Sequence, residues 1–223
     1  MTNYSENNII TLIGTIVSDR RFSHEVYGEG FYSFDIEVPR LSENSDIIPV
    51  TVSERILTDE YTIGQKVVID GQFRSYNNYE NEKNKLVLTV FAKDIKIFEE
   101  EDEEITNPNE ICLTGFICKK PIYRTTPFGR EIADILLAVN RAYNKSDYIP
   151  CITWGRNARY CQNIQVGEKV RLWGRIQSRQ YEKKYEDGTS EVRRAYEVSV
   201  SKMEIEKDME GNIEDSNFEE QNA

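Results

Sequence analysis

Apolar and polar residues alternate with a period of two through most of this chain. In VRLWGRIQSRQY (170–181), Val170, Leu172, Gly174 and Ile176 fall on one side of an extended strand, and Arg171, Trp173, Arg175, Gln177 and Arg179 on the other. The same reading places strands near 110–119, 130–142, 147–155, 168–180 and 191–205. A short helix fits around 157–162, where Ala158 and Cys161 face inward. Asp187-Gly188 has the composition of a hairpin tip between the fourth and fifth of these strands.

The pattern occurs twice. At an offset of 101 residues, NNIITLIGTIV (7–17) lies over PNEICLTGFIC (108–118), with Asn8 on Asn109 and Gly14 on Gly115. The same offset sets DIIPVTVSER (46–55) over DYIPCITWGR (147–156); after a small shift, IGQKVVIDGQF (63–73) lies over VGEKVRLWGRI (166–176). Ser53 is a fitting N-cap for a matching helix over 54–61. Five strands with a helix between the third and fourth, in about 100 residues, is the plan of an OB barrel, favoured here over other small β barrels. Gly14 and Gly115, inside the first strands, suit the bend that closes such a barrel. The expected architecture is all-β: two tandem OB-fold five-stranded barrels, each with a short helix between strands 3 and 4. The first spans 1–98 and the second 109–205, joined by an acidic linker (99–108) and followed by a disordered acidic C-terminal tail (206–223).

Charge sharpens this division. The net charge of −11 argues against nucleic acid only as an average. Residues 109–205 carry 17 Lys and Arg against 11 Asp and Glu, whereas 99–108 hold six acids and no base. No apolar run approaches the roughly 20 residues of a membrane helix, and the N-terminus lacks signal-peptide character. A cytoplasmic location without membrane contact follows as the expectation. Cys112, Cys118, Cys151 and Cys161 lack the paired spacing of a zinc site and read as reduced thiols. There is no phosphate-cradling glycine loop, and His24 is the lone histidine, so neither an enzyme nor a cofactor is expected.

The fourth strand of the second copy gives the functional lead. Trp173 among arginines offers a flat π surface for bases beside cations for phosphates, which is what a single strand of nucleic acid requires. Tyr181, Lys183, Lys184 and Tyr185 continue this chemistry along the hairpin, and Arg193 and Arg194 return on the next strand. In the first copy Arg171, Trp173 and Arg175 become Val68, Asp70 and Gln72, while the core positions Val67, Ile69 and Phe73 remain apolar. Tyr76, Tyr79, Arg74, Lys83 and Lys85 keep some of the chemistry on the first copy's hairpin.

Residues 109–205 resemble the bacterial single-stranded-DNA-binding protein family. The resemblance rests on Leu113 and Gly115 in strand one, Lys119, Pro121 and Arg124, the turn Thr126, Pro127 and Gly129, and LAVNR (137–141). The aromatic-Gly-basic close of strand three and the G-R-I-x-S-R run in strand four also match. The family's stacking aromatics carry over to Tyr143, Tyr148, Trp154 and Tyr181, whereas the first copy has Ser42, Ile47 and Ser53 at the first three. The candidate DNA-binding set is therefore Tyr143, Tyr148, Trp154, Trp173 and Tyr181, with Arg124, Arg141, Arg156, Arg171, Arg175, Arg179, Lys183 and Lys184. The resemblance implies sequence-tolerant binding and protection of single-stranded DNA in replication, recombination or repair. It further implies a homodimer giving four OB domains and docking of replication or repair proteins through the acidic tail. The first copy then serves as scaffold or oligomerisation surface. The alternative is an OB-fold interaction accessory of a replication, conjugation or phage machine with weak DNA affinity, and stacking alone does not separate DNA from RNA.

Overall fold

The computed structural model describes residues 6–80, 83–99, 106–185 and 188–206. The first half comprises β1 (Asn8–Ile16), β2 (Arg21–Val26), β3 (Glu29–Pro39), β4 (Ser45–Ser53), β5 (Lys66–Glu80) and β6 (Lys83–Ile97). The second comprises β7 (Asn109–Ile117), β8 (Ile122–Thr125), β9 (Glu131–Arg141), β10 (Lys145–Trp154), α1 (Gly155–Cys161), β11 (Lys169–Lys184) and β12 (Ser190–Ile205).

Each half closes on itself as the alternation predicts. β1 pairs with β5, β5 with β6, β6 in parallel with β4, β4 with β3, and β3 returns to β1. The same circuit runs β7–β11–β12–β10–β9–β7, again with one parallel step. This is the OB plan of five strands. Ile10, Leu12, Ile36, Ile48, Ile69 and Phe73 fill the first barrel, and Leu113, Ile117, Leu137, Ile149, Leu172 and Ile176 the second. Closure requires the first-strand glycines: a Cβ on Gly14 would stand 2.7 Å from the Glu37 carbonyl oxygen, and one on Gly115 2.5 Å from that of Ala138. Each half also gains a short edge strand, β2 on β3 and β8 on β9.

The first half departs from expectation between β4 and β5. Among the described residues there is no helix over 54–61, only turns. Ser53 Oγ does accept from the Arg55 N–H (3.1 Å), but it also binds the Glu29 carboxyl, and the chain bends after a single turn. This connection is two residues shorter than its counterpart. Instead of the small inward pair Ala158 and Cys161 of α1, it packs Ile56, Leu57 and Tyr61, whose hydroxyl donates to the Ile95 carbonyl (2.8 Å). Most of the linker (100–105), the tail beyond Glu206 and Asp187 of the hairpin tip lie outside the described residues.

The two barrels join through a pseudo-two-fold contact. β1 and β7 pair antiparallel with Ile10 opposite Ile111, its equivalent in the repeat. On either side a buried asparagine completes the ladder within its own half. Asn8 bonds both the carbonyl and the N–H of Phe73 (2.8 Å each), and Asn109 does the same to Ile176 (2.8 and 2.9 Å).

DIIP (46–49) and DYIP (147–150) share a D-x-I-P frame, and the aspartates that begin it form the second cross-half contact. Asp46, fully buried, accepts from the Ser178 N–H (2.6 Å) and hydroxyl (3.2 Å) of the other barrel. Asp147 accepts in turn from the Ser75 N–H (2.7 Å), while the Tyr148 N–H donates to Ser75 Oγ (2.7 Å). The frame is thus shared because each copy's aspartate clasps the other copy's hairpin strand.

Candidate nucleic-acid interface

The surface of the second barrel is built from the ends of β9 and β10 and the outer faces of β11 and β12. Tyr143 lies in the β9–β10 loop with a left-handed backbone (φ 60°), as does Asn144 (φ 55°), and its ring is 94% exposed. A bulky residue seldom adopts that conformation, and here it turns the ring into solvent. Tyr148 and Trp154 project from β10, at 47% and 37% exposure. The Trp154 indole N–H donates to Ser199 Oγ on β12 (3.2 Å), which fixes the ring against the sheet. Tyr181 extends from β11 with the Arg179 guanidinium 5.9 Å from its ring centroid.

Some of the predicted cations are free of carboxylates and others are engaged. Arg156, Lys183 and Lys184 have no carboxylate within ion-pair distance among the described residues, and the Lys183 ammonium lies 5.3 Å over the Tyr185 ring. Arg179 is 3.9 Å from Glu197. Arg124 pairs with Asp134 (2.8 Å). Arg171 is held by Glu206 (2.9 Å) and donates to Thr114 Oγ1 (3.2 Å). Arg175 reaches Asp46 in the other barrel (3.4 Å), and Arg141 Nε lies 3.1 Å from Asp147 Oδ2 without an aligned hydrogen bond.

The two aspartates differ in their electrostatics. Burial pushes the Asp46 carboxyl up, but the Arg40 hydrogen bonds (2.7 and 2.5 Å) and the Ser178 donors outweigh it and hold the group below the usual carboxylate range. At Asp147 burial wins over the Ser75 N–H and the nearby Arg141 and Arg74 charges, and the carboxyl is raised.

The cavities show which candidates are brought together. A groove of about 250 Å³ holds Arg141, Lys145 and Tyr148 beside Ser75 and Tyr76 of the first half. A larger groove of about 570 Å³ runs between the barrels and holds Tyr181, Arg193 and Arg194 opposite Arg21 and Tyr76. Tyr76 lines both, so the two grooves meet at that ring. Trp173 lies elsewhere, over a pocket of about 240 Å³ at the β1–β7 seam, lined by Ile9, Thr11 and Cys112. The Lys202 ammonium stands 4.4 Å above its ring and the Arg171 guanidinium 6.0 Å away. None of Tyr143, Tyr148, Trp154 or Tyr181 lines that pocket.

Sequence reasoning missed one feature of this surface. Glu197 places a carboxylate on it, accepting from Gln177 Nε2 (2.8 Å); its alternation with Val198 and Val200 was the available signal. Arg74, already singled out on the first copy's hairpin, sits at a shifted position along its strand. Gln72 stands where the second half has Arg175, but Arg74 stands where it has Gln177, so the arginine has moved two residues along the strand. Each arginine bonds its neighbouring glutamine: Arg175 to Gln177 (3.3 Å), and Arg74 to Gln72 (2.9 Å).

The model of the single-strand binding protein family matches residues 108–206. Single-stranded DNA-binding protein B of Bacillus subtilis is 37% identical over 84 residues, which cover 33% of this chain and 72% of that protein. Single-stranded DNA-binding protein 1 of Staphylococcus aureus is 38% identical over 81 residues, covering 33% and 48%. The chain thus spans about half the length of the first of the curated relatives it matches. In fold, a deletion mutant of the single-stranded DNA binding protein from Thermus aquaticus superposes with a TM-score of 0.72 at 18% identity, over 93% of this chain and 98% of that one.

Proposed function

The chain belongs to the single-strand binding protein family, and on that premise we propose that it binds single-stranded DNA with little regard to sequence. Bases stack on exposed aromatic rings, and Arg and Lys contact the phosphates. The observation that carries this reading is the coincidence of three features in residues 109–205: the family match, the basic surplus, and the exposed rings of Tyr143, Tyr148, Trp154 and Tyr181. Rings and cations together suit sequence-tolerant binding, because every base has a π-face to stack.

On this reading residues 109–205 form the principal binding domain, 1–98 the partner barrel, 99–108 a spacer and 206–223 an acidic tail available to replication or repair proteins. The protein acts by binding and not by catalysis, in the cytoplasm with the nucleoid. A homodimer would present four barrels, two of them already joined by the pseudo-two-fold contact within each chain. Titration with poly-dT followed by intrinsic fluorescence tests the proposal, because Trp154 and Trp173 both belong to the second barrel. Saturable quenching is expected, and an unchanged spectrum would overturn the reading.

One observation favours the alternative of a protein-interaction accessory: Arg124, Arg171 and Arg175 are already engaged by carboxylates. A stable protein partner recovered by the full chain, with no shift of a single-stranded oligonucleotide, would decide for it.

A further inference from the structure

The sequence comparison leaves the first barrel without the stacking rings of the second, since Ser53 replaces Trp154. The strand register shows where an aromatic reappears. β4 and β6 pair in parallel with Thr51 opposite Phe91, and β10 and β12 with Ile152 opposite Ser199. Phe91 therefore holds the position of Ser199. The second barrel has Trp154 on its third strand with its indole on Ser199; the first has Ser53 on the third strand and Phe91 on the last. The large and small residues have exchanged strands.

The small Ser53 leaves room for rings to meet across β4. Phe31, which pairs with Ser53 in the β3–β4 register, approaches Phe91 with centroids 5.7 Å apart. His24 on β2 stacks on Phe31 at 4.9 Å, nearly parallel at 8°. On the other side the Arg74 guanidinium lies 3.8 Å over the Phe91 ring. A row His24–Phe31–Phe91–Arg74 thus crosses the sheet, each member in contact with the next. All four are at least partly accessible.

The groove beside this row measures about 560 Å³ and is lined by His24, Phe91, Arg74, Thr51, Tyr76 and Arg141. Tyr76 is 51% exposed, and with Ser75 and Arg141 it also lines the groove that holds Tyr148. The path from the second barrel's Tyr148 to the first barrel's Phe91 is therefore continuous. Among the described residues, Arg74 is hydrogen-bonded to Gln72, and no carboxylate lies within ion-pair distance of it. A guanidinium standing over a ring, with no salt-bridge partner among the described residues, can offer both a stacking surface and an anion contact.

We propose that the first barrel carries its own single-stranded-DNA site, in which Phe91, Phe31 and Tyr76 receive bases and Arg74 and Arg141 receive phosphates, on a strand continuing from Tyr148. This rests on the single-strand-binding reading above and extends it to a second, differently built platform.

Anisotropy of the full chain with labelled dT oligonucleotides of about 10 and about 30 nucleotides separates the two platforms, since one barrel takes about 4–16 nucleotides. The double variant Phe91→Leu/Arg74→Gln is expected to weaken the longer oligonucleotide about 5- to 100-fold and to leave the shorter one within about twofold. Trp154→Ala is expected to weaken both. If the double variant binds the longer oligonucleotide as wild type does while Trp154→Ala weakens both, the first-barrel site is wrong and the general reading stands. If wild type binds neither, both fall. Photo-crosslinking of wild type to the longer oligonucleotide carrying 5-iododeoxyuridine gives a readout independent of variant folding. Adducts on the peptides containing Tyr76 or Phe91 support the site, and adducts confined to the second barrel overturn it.

Discussion

Replacing Asp46 with Asn tests the clasp between the barrels. The carboxylate is fully buried and receives Arg40 Nε at 2.7 Å, Arg40 Nη2 at 2.5 Å, the Ser178 N–H at 2.6 Å and the Ser178 hydroxyl at 3.2 Å. An amide can keep the Ser178 N–H on its oxygen, but it presents an NH2 to Arg40 and Arg175, setting donors against donors. Removing one partner of a buried ion pair costs about 3–5 kcal/mol. Arg40 and Arg175 keep partial access to water, which favours the low end, about 3 kcal/mol. For a chain of this size that lowers the melting temperature by about 6–12 °C. Asp147→Asn should cost less, about 1 kcal/mol, because burial already disfavours its charge and the Ser75 N–H can still be accepted. The two differ in pH dependence. Asp46, with its pKa depressed, contributes stability above the unfolded value of about 3.9 and loses it as pH falls through the native value. Asp147, with its pKa raised, favours the folded state below about 3.9 and loses that contribution as pH rises through its native value. Thermal unfolding by circular dichroism between about pH 2 and pH 8 is the assay, a window that spans the loss of the Asp46 contribution on the acid side and of the Asp147 contribution above it. The reasoning is refuted if Asp46→Asn melts within about 2 °C of wild type, or if Asp147→Asn is the more damaging change.

Two further outcomes follow from the same geometry. Trp154→Ala and Tyr181→Ala should each weaken oligo-dT binding by about 1–3 kcal/mol, measured by equilibrium anisotropy, with melting temperatures close to wild type because both rings lie on the surface. Asn109→Ala leaves the buried N–H and carbonyl of Ile176 without partners and should cost about 1–3 kcal/mol in urea unfolding, and Asn109→Asp should cost at least as much, because it sets a buried carboxylate oxygen against the Ile176 carbonyl.

Much of the fold was legible because the core obeys a period of two and the chain supplies its own comparison. Val170, Leu172 and Ile176 are buried as their alternation requires, and Gly14 and Gly115 stand where the barrels close. The edge strands were not legible: β2 (RFSHEV) is exposed at every position and therefore carries no alternation. The first-half helix failed for a related reason, since a capping serine says nothing about whether the segment behind it is long enough to pack. At the candidate site, residue type was readable and partnership was not. Arg175 and Asp46 are 129 residues apart and meet only because the hairpin of one barrel leans on the other. Trp173 shares a strand face with Arg175 in the pattern, yet a bulge between Trp173 and Gly174 adds local twist, and the indole ends over the seam. The aspartates of the D-x-I-P frames looked like strand residues, and their cross-barrel role appears only when the two halves are seen together.

The central claim, that the second barrel binds single strands through rings and cations, is tested most directly by the salt dependence of oligo-dT affinity in wild type and in Trp154→Ala. The account predicts that log K falls linearly with log salt, at about −0.7 per phosphate neutralised. The variant's line should be parallel and displaced to weaker binding, because a ring carries no charge. Affinity that does not change with salt, or a variant line that coincides with wild type, would contradict it.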